Sequence, residues 1–203
     1  MAYRTAPAFR LLLAATALGG LAACGPATEA PAPAATPAAP DAAEVDGARY
    51  AAGLLGSRLK GRLMAAMQEG GPEAAVAVCA EEAPVIAAEV SAETGYTVGR
   101  TALRVRNPAN APDAWEETQL HAFIDALADG ADPATLEVAE LVDDNGTATL
   151  RWARPILLDA PCATCHGQEV DPALLANIHE RYPEDTATGF AIGDVRGMFT
   201  VSK

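Results

Sequence analysis

Positive charge is scarce in this sequence, which holds 14 Lys and Arg residues against 27 Asp and Glu residues and has a net charge of −13. A nucleic-acid-binding protein needs a basic face, so the composition argues against that class. Aromatic side chains are also few, at 5% of the residues, and much of the apolar half of the chain is alanine. A core with so few large side chains would gain from the bulk of a large cofactor.

Long apolar runs are lacking too, and the longest one lies at the N-terminus. The run from Leu11 to Ala23 is shorter than the ~20 residues that span a bilayer, but it follows Arg4 and Arg10 and has the length of a signal-peptide core. It ends in the letters LAAC at Cys24, which resemble the lipobox of bacterial lipoproteins. We therefore expect residues 1–23 to be a lipoprotein signal peptide and Cys24 to be lipidated. The alternative is an ordinary signal peptide with an incidental cysteine.

Residues 24–45 are rich in alanine and proline and show no helical periodicity, so we expect a partly extended tether. The lipid and the tether together predict an exported protein. It would be anchored to a bacterial membrane and would face the periplasm or the cell exterior. Residues 46–203 form the predicted folded domain.

The pattern of apolar residues and turn signals in this domain predicts an α+β fold with a mainly antiparallel sheet. Glycines at 70 and 71 should separate the first two helices, Pro84 should kink or divide the second, and Asp144-Asn145-Gly146 should form a hairpin turn. The expected helices cover residues 46–68, 72–92, a segment capped by Asp113, and 172–179. The expected strands cover residues 96–105, 136–142, 147–157, 190–192 and 198–202.

The strongest chemical signal is the segment PCATCHG, residues 161–167. CxxCH is typical of covalent c-type haem attachment, because cysteines three apart share one face of a helical turn and the next residue can bind the iron. A structural zinc site needs four ligands, and the sequence has no second CxxC. A thioredoxin-like dithiol needs a βαβ context and has no use for the histidine. We therefore predict one covalent haem c on Cys162 and Cys165, with His166 as an axial ligand.

The second axial ligand has several candidates in the sequence. Neither the lipid nor the thioethers account for Cys79, and an unpaired cysteine in an oxidising compartment is a liability unless it is buried or bound. It lies on the apolar stripe of its predicted helix, where a small buried core residue is the alternative interpretation. His121 falls off the apolar stripe of its helix and is expected in solvent. The other candidate ligands are His179, Met64, Met67 and Met198.

Arg100, Arg104 and Arg106 are unusually dense for such an acidic chain. On the predicted strand they would share one face, because side chains alternate along a strand. Arginine pairs well with carboxylates, so the three residues are candidate contacts for the two haem propionates. The alternative is a solvated strand face.

Further short motifs occur with CxxCH in a fixed order. They are Cys79 with Ala83-Pro84, Gly99-Arg100-Thr101, RNPANAPD at 106–113 with Trp115-Glu116, CATCHG at 162–167, YPEDTATGF at 182–190, and Gly193-Asp194 with Arg196-Gly197. This set, over about residues 74–202, resembles the PAS-like c-type haem domain. That family includes stand-alone bacterial cytochromes and the extracytoplasmic sensors of histidine kinases.

The resemblance implies a PAS-like fold whose N-terminal helices pack on the haem, with His166 and Cys79 as the axial ligands. We expect a membrane-tethered monohaem cytochrome domain that acts as a redox or diatomic-gas sensor; the alternative is a periplasmic electron carrier. An enzyme such as a peroxidase is disfavoured, because the sequence shows no distal His/Arg pair and both axial positions would be filled. No kinase follows the domain, so we expect a separate redox or signalling protein as partner.

The attachment prediction has a direct test in the paired substitution Cys162→Ala with Cys165→Ala. Two thioether bonds should keep haem on the wild-type polypeptide through denaturation, and the double variant should lose haem staining on a denaturing gel. Staining that survives in the double variant would contradict covalent attachment.

The anchoring prediction is tested by Cys24→Ala. The variant should leave the membrane fraction or remain unprocessed, because the lipid is the expected anchor, while the haem spectrum should not change. Membrane residence with normal cleavage in the variant would instead indicate an ordinary signal peptide.

Overall fold

The computed structural model describes residues 39–203, and the structural statements below concern that part of the chain. The predicted signal peptide, Cys24 and most of the predicted tether lie outside the described residues. Within residues 39–203 the chain forms helices and one four-stranded antiparallel sheet, which confirms the predicted α+β class.

Five α-helices and four strands make up the regular structure of the described residues. The helices are α1 (Ala42–Ala77), α2 (Ala83–Thr94), α3 (Ala114–Ala128), α4 (Ala163–His166) and α5 (Pro172–Arg181), and a π-helical turn (Val78–Glu82) joins α1 to α2. The strands are β1 (Thr97–Thr101), β2 (Val138–Asp144), β3 (Thr147–Leu157) and β4 (Val195–Ser202). Short 3-10 turns occur at Pro108–Asn110, Pro133–Thr135 and Ala160–Cys162.

Helix α1 begins a few residues before its predicted start, because the Asp41 carboxylate caps it by accepting hydrogen bonds from the amides of Ala43 and Glu44. The predicted interruption is confirmed: Gly70 and Gly71 are non-helical, and Gly71 has a φ of 71° that favours glycine. No helix within residues 39–203 is both long and apolar enough to cross a bilayer.

The second part of α1 folds back on the first part after this interruption. Side chains on the two sides, among them Ala66 and Val78, share one apolar cluster. The π-helical turn then precedes Pro84, whose ring would clash with the carbonyl four residues back in a regular α-helix. In the turn, the amide of Ala83 donates instead to the carbonyl of Val78. The predicted kink or division of the second helix at Pro84 therefore takes the form of a π-helical turn just before this residue.

The sheet has the strand order β1-β4-β3-β2, and each neighbouring pair is antiparallel. The predicted hairpin between β2 and β3 is confirmed. Its turn residues Asn145 and Gly146 have φ values of 54° and 88°, as a type I′ turn requires. Strand β4, the last in sequence, lies between β1 and β3 and so ties the start of the folded region to its end.

Two strand predictions are wrong. Residues 190–192 form no strand, and Phe190 makes only an isolated bridge with Gly167. The residues before β4 bond to the end of β3 instead, with the Leu158 amide donating to Asp194 and the Gly193 amide donating to Leu158. The strand expected over 96–105 ends at Thr101, because the next amide turns away to donate to the Asn110 carbonyl.

Helices cover both faces of the sheet. On one face, α1 and α2 pack on side chains such as Leu150, Trp152 and Val201. On the other face, Leu120 and Phe123 of α3 pack on Ala153 and Met198. A separate apolar cluster joins the second part of α1 to α5 through Val76, Leu174, Ile178 and Tyr182, and Cys165 packs against it. This cluster holds the CxxCH segment beside the N-terminal helices.

Candidate haem-binding site

The CxxCH segment folds as a 3-10 turn followed by the single helical turn α4. Cys162 and Cys165 are both half-buried free thiols. The Gly167 amide closes the turn by donating to the Ala163 carbonyl at 2.8 Å. A Cβ at Gly167 would lie 2.5 Å from that carbonyl oxygen, so a larger residue after the histidine would push the turn apart.

His166 is held in one orientation by its backbone surroundings. Its Nδ1 lies 2.6 Å from the Ala187 carbonyl oxygen and 3.2 Å from Arg196 Nε. We assign the ring proton to Nδ1, donated to Ala187, because that contact is the shorter and a carbonyl can only accept. Burial lowers the pKa of His166 to about 3, and the charges of Arg196 and Arg106 act in the same direction. The imidazole is therefore neutral, and its Nε2 lone pair is free to bind a metal.

The carboxylate of Asp185 connects the CxxCH segment to the backbone that orients His166. Its side chain is 0% exposed and accepts hydrogen bonds from Arg106 Nη2 at 3.0 Å and from the Ala187 amide at 2.9 Å. Arg106 Nη2 also donates to the Cys165 carbonyl at 2.7 Å. Burial acts to raise the pKa of Asp185, but the hydrogen bonds from Arg106 and Ala187 outweigh burial and hold that pKa below its usual value. Asp185 is therefore a charged anchor for both Cys165 and the residue that orients His166.

Cys79 lies in the π-helical turn and is half-buried. Burial raises the pKa of the Cys79 thiol, whereas the positive charges of Arg100, Arg106 and Arg196 act to lower it. Cys79 and Cys162 each act to raise the pKa of Cys165, after the larger effect of burial. The N-terminal helices thus bring Cys79 close enough to the CxxCH segment for the cysteines to interact electrostatically.

The other candidate ligands lie elsewhere. His179 is exposed on α5, and His121 is exposed on α3 as expected. Met198 is fully buried in the cluster beneath α3, and Met67 packs between the two parts of α1. Met64 has 37% of its surface exposed. None of these residues is placed beside the cysteines by the contacts described above.

Four arginines surround the site, and sequence analysis found three of them. Arg196 was missed: it contacts His166, and both it and Arg104 lie over the ring of Phe190, at 5.4 and 4.2 Å from the centroid. Because β1 ends at Thr101, Arg104 and Arg106 reach the site from the loop that follows it. The prediction that they share one strand face with Arg100 is wrong. Only Arg106 of the four forms an ion pair with a carboxylate of the described residues.

This arginine cluster, defined as Arg100, Arg104, Arg106 and Arg196, carries more positive charge than Asp185 balances. Burial lowers the pKa of Arg196 to about 10, and the charges of Arg106 and Arg100 add to the effect. Burial also lowers the pKa of Arg100. The Nε of Arg106 is buried without a hydrogen-bond partner in the described structure. A ligand with two carboxylates would complement such a cluster, so the residues present fit a haem with its propionates.

A surface recess of about 370 Å³ opens beside the CxxCH segment. It lies between the first residues of the second part of α1 and the first residues of α5. Thr164 lines it, between the two attachment cysteines, but neither Cys79 nor His166 does. Neither candidate axial ligand therefore contributes to the wall of this recess.

The role of Asp185 predicts a specific loss of stability in Asp185→Asn. The variant should lower the free energy of unfolding by roughly 2–4 kcal/mol, because it leaves the buried Arg106 charge unpaired while Asn still accepts from Ala187. The pKa of Asp185 is lowered in the folded state, so this stabilisation is present at neutral pH and is lost as the pH falls through that pKa. Denaturant unfolding of both proteins should show the difference shrinking below about pH 4.

The matched control is Glu93→Gln, which breaks the exposed Arg58–Glu93 pair, whose side chains are 37% and 49% exposed. It should change the free energy of unfolding by less than about 1 kcal/mol. An equally small loss in Asp185→Asn would contradict the anchoring role of Asp185.

Comparisons with known proteins agree with this architecture. The family model described as Tll0287-like matches residues 33–203. The crystal structure of the cyanobacterial haem protein Tll0287 is similar, with a TM-score of 0.57 and 25% sequence identity over 81% of this chain and 96% of that chain. No curated protein matches the chain at a significant level. These matches confirm the family resemblance inferred from the sequence, and the chain therefore belongs to the Tll0287-like family.

Proposed function

We propose that this chain is a monohaem c-type cytochrome domain, with haem attached to Cys162 and Cys165, that acts as a redox or diatomic-gas sensor. His166 and Cys79 are its axial ligands, and the lipid on Cys24 tethers it to a membrane. The observation that carries the proposal is the placement of Cys79 among the attachment cysteines and three arginines. The similarity to a solved haem protein supports the choice of cofactor.

The residues around the site suit each part of a haem. The neutral His166 ring, with Nδ1 donated to Ala187, offers Nε2 in a fixed direction, which is the usual arrangement of a metal-binding histidine. Arg100, Arg104 and Arg196 form no ion pair with a carboxylate of the described residues, so their guanidinium groups are available to the propionates. Bound haem supplies one-electron redox chemistry and an iron that can take a diatomic gas when one axial position is free.

Cys79 is the residue that makes the site responsive. A thiolate ligand stabilises ferric iron, so the domain should have a low reduction potential. Reduction to ferrous iron removes one positive charge and weakens the attraction for the thiolate sulfur. Once free, the Cys79 sulfur would take up a proton, because burial raises its pKa despite the nearby arginines. Release of Cys79 from a bound haem would leave room for a gas and would free the π-helical turn to move.

Electron transfer is the second candidate function, since a carrier of the same composition would keep both ligands in both oxidation states. The sensor is favoured by the position of Cys79 in a π-helical turn between two helices, where a change of ligand can move a secondary-structure element. The proposal includes a separate redox or signalling protein that responds to the movement of this element. No enzymatic activity is proposed, because both axial positions are assigned to protein ligands.

The decisive substitution is Cys79→Ser. The ferric protein should lose its low-spin thiolate EPR signature, and its reduction potential should rise by on the order of 100 mV, because the axial ligand sets much of the potential. His179→Ala is the matched control and should leave the EPR spectrum and the potential unchanged. If Cys79→Ser keeps the wild-type spectrum and potential, Cys79 is a core residue and not a ligand.

Carbon monoxide added to the same wild-type preparation separates the two candidate functions. A sensor that releases Cys79 on reduction should show the absorbance change of carbon monoxide binding in the ferrous state. A carrier that keeps both ligands should show no such change.

A further inference from the structure

The π-helical turn that carries Cys79 departs from the regular α-helix on either side of it. Single π-helical turns are rare, occur mostly within α-helices and are frequent at functional sites. Each residue of an α-helix adds a rotation of about 100°, so converting the turn to regular α-helix would rotate the residues on one side relative to the other. The direction in which Cys79 points therefore depends on what keeps this turn in its wide form.

Arg62 makes the best-oriented polar contact with this turn. Its Nε and Nη2 donate to the two carboxylate oxygens of Glu82 at 2.7 and 2.8 Å, across 20 residues of sequence. The same guanidinium lies 3.6 Å from Glu69, the residue before the glycine interruption. Arg62 lies in the first part of α1. It therefore contacts both Glu69, at the end of that part, and Glu82, the last residue of the π-helical turn.

The remaining contacts of the turn are less selective. Val78 packs in the apolar cluster that includes Leu63 and Met67, and Ala80 packs against the cluster of α5. These apolar contacts are not directional. Glu81 pairs with Arg181 through a single contact at 2.8 Å, and its side chain is 68% exposed. A two-point pair between a guanidinium and a carboxylate adds geometric specificity that neither of these contacts has.

We propose that Arg62 is a positioning residue that, through its two-point pair with Glu82, holds the π-helical turn in the register that presents Cys79 to the iron. The proposal rests on the proposed function, because it assumes that Cys79 is an axial ligand. Weakening the pair increases the fraction of protein in which Cys79 is off the iron. An external ligand that competes with Cys79 then binds more tightly, in proportion to that fraction.

The test is cyanide titration of the full-length ferric holoprotein, together with its EPR spectrum. Arg62→Gln and Glu82→Gln should each raise the cyanide affinity about fivefold and reduce the thiolate low-spin signal. The double variant should shift the affinity no further than either single variant, because both remove the same interaction. Arg181→Gln removes the exposed pair on the same turn and is the matched control, with wild-type affinity expected.

The outcomes separate this proposal from the proposed function. A wild-type protein without a thiolate signature overturns both. A wild-type protein with that signature, combined with wild-type cyanide affinity in Glu82→Gln, overturns the role of Arg62 alone. Additive shifts in the double variant also overturn it. If Arg62→Gln fails to fold, Glu82→Gln decides the matter, because that change preserves the size of the side chain.

Discussion

The structure around the candidate haem site depends on one interaction, the buried ion pair between Asp185 and Arg106. A buried charge is tolerated only when it is paired and hydrogen-bonded, and Asp185 meets this condition through Arg106 and the Ala187 amide. Those two partners lead directly to the Cys165 carbonyl and to His166 Nδ1. The CxxCH turn and the His166 ring are therefore positioned from one point, which lies 19 residues beyond the motif.

A second constraint acts from the opposite end of the chain. The interruption at Gly70-Gly71 folds the second part of α1 back on the first, and the apolar cluster of Val76 with α5 docks that part beside Cys165. Cys79 thus reaches the CxxCH segment through packing that involves no cofactor. Cys79 and the CxxCH segment lie far apart in sequence, so their proximity depends on the tertiary fold and on no local motif.

The sequence was informative where a local signal fixes a local structure. The Asn145-Gly146 turn and the paired glycines of α1 each have a direct physical reason. The fold class followed from the pattern of apolar residues and turn signals. The roles of Asp185 and Arg196 did not follow: both residues stand in motifs that carry the family resemblance, but those motifs do not indicate the contacts with Arg106 and His166. The error in placing Arg104 and Arg106 had a similar cause: a long-range bond from Ala102 to Asn110 ends β1 earlier than propensity suggests.

Two opposing electrostatic effects act on the thiol of Cys79. The chain as a whole has a net charge of −13, yet the arginine cluster makes the site itself positive. Three of those arginines favour the thiolate of Cys79, but burial is the larger effect and leaves the thiol pKa raised. Without a bond to a metal, the sulfur is therefore neutral; with such a bond, the arginines stabilise its charge. Under the proposed function, this opposition between burial and the arginines would let the protonation of Cys79 follow the charge on a bound iron.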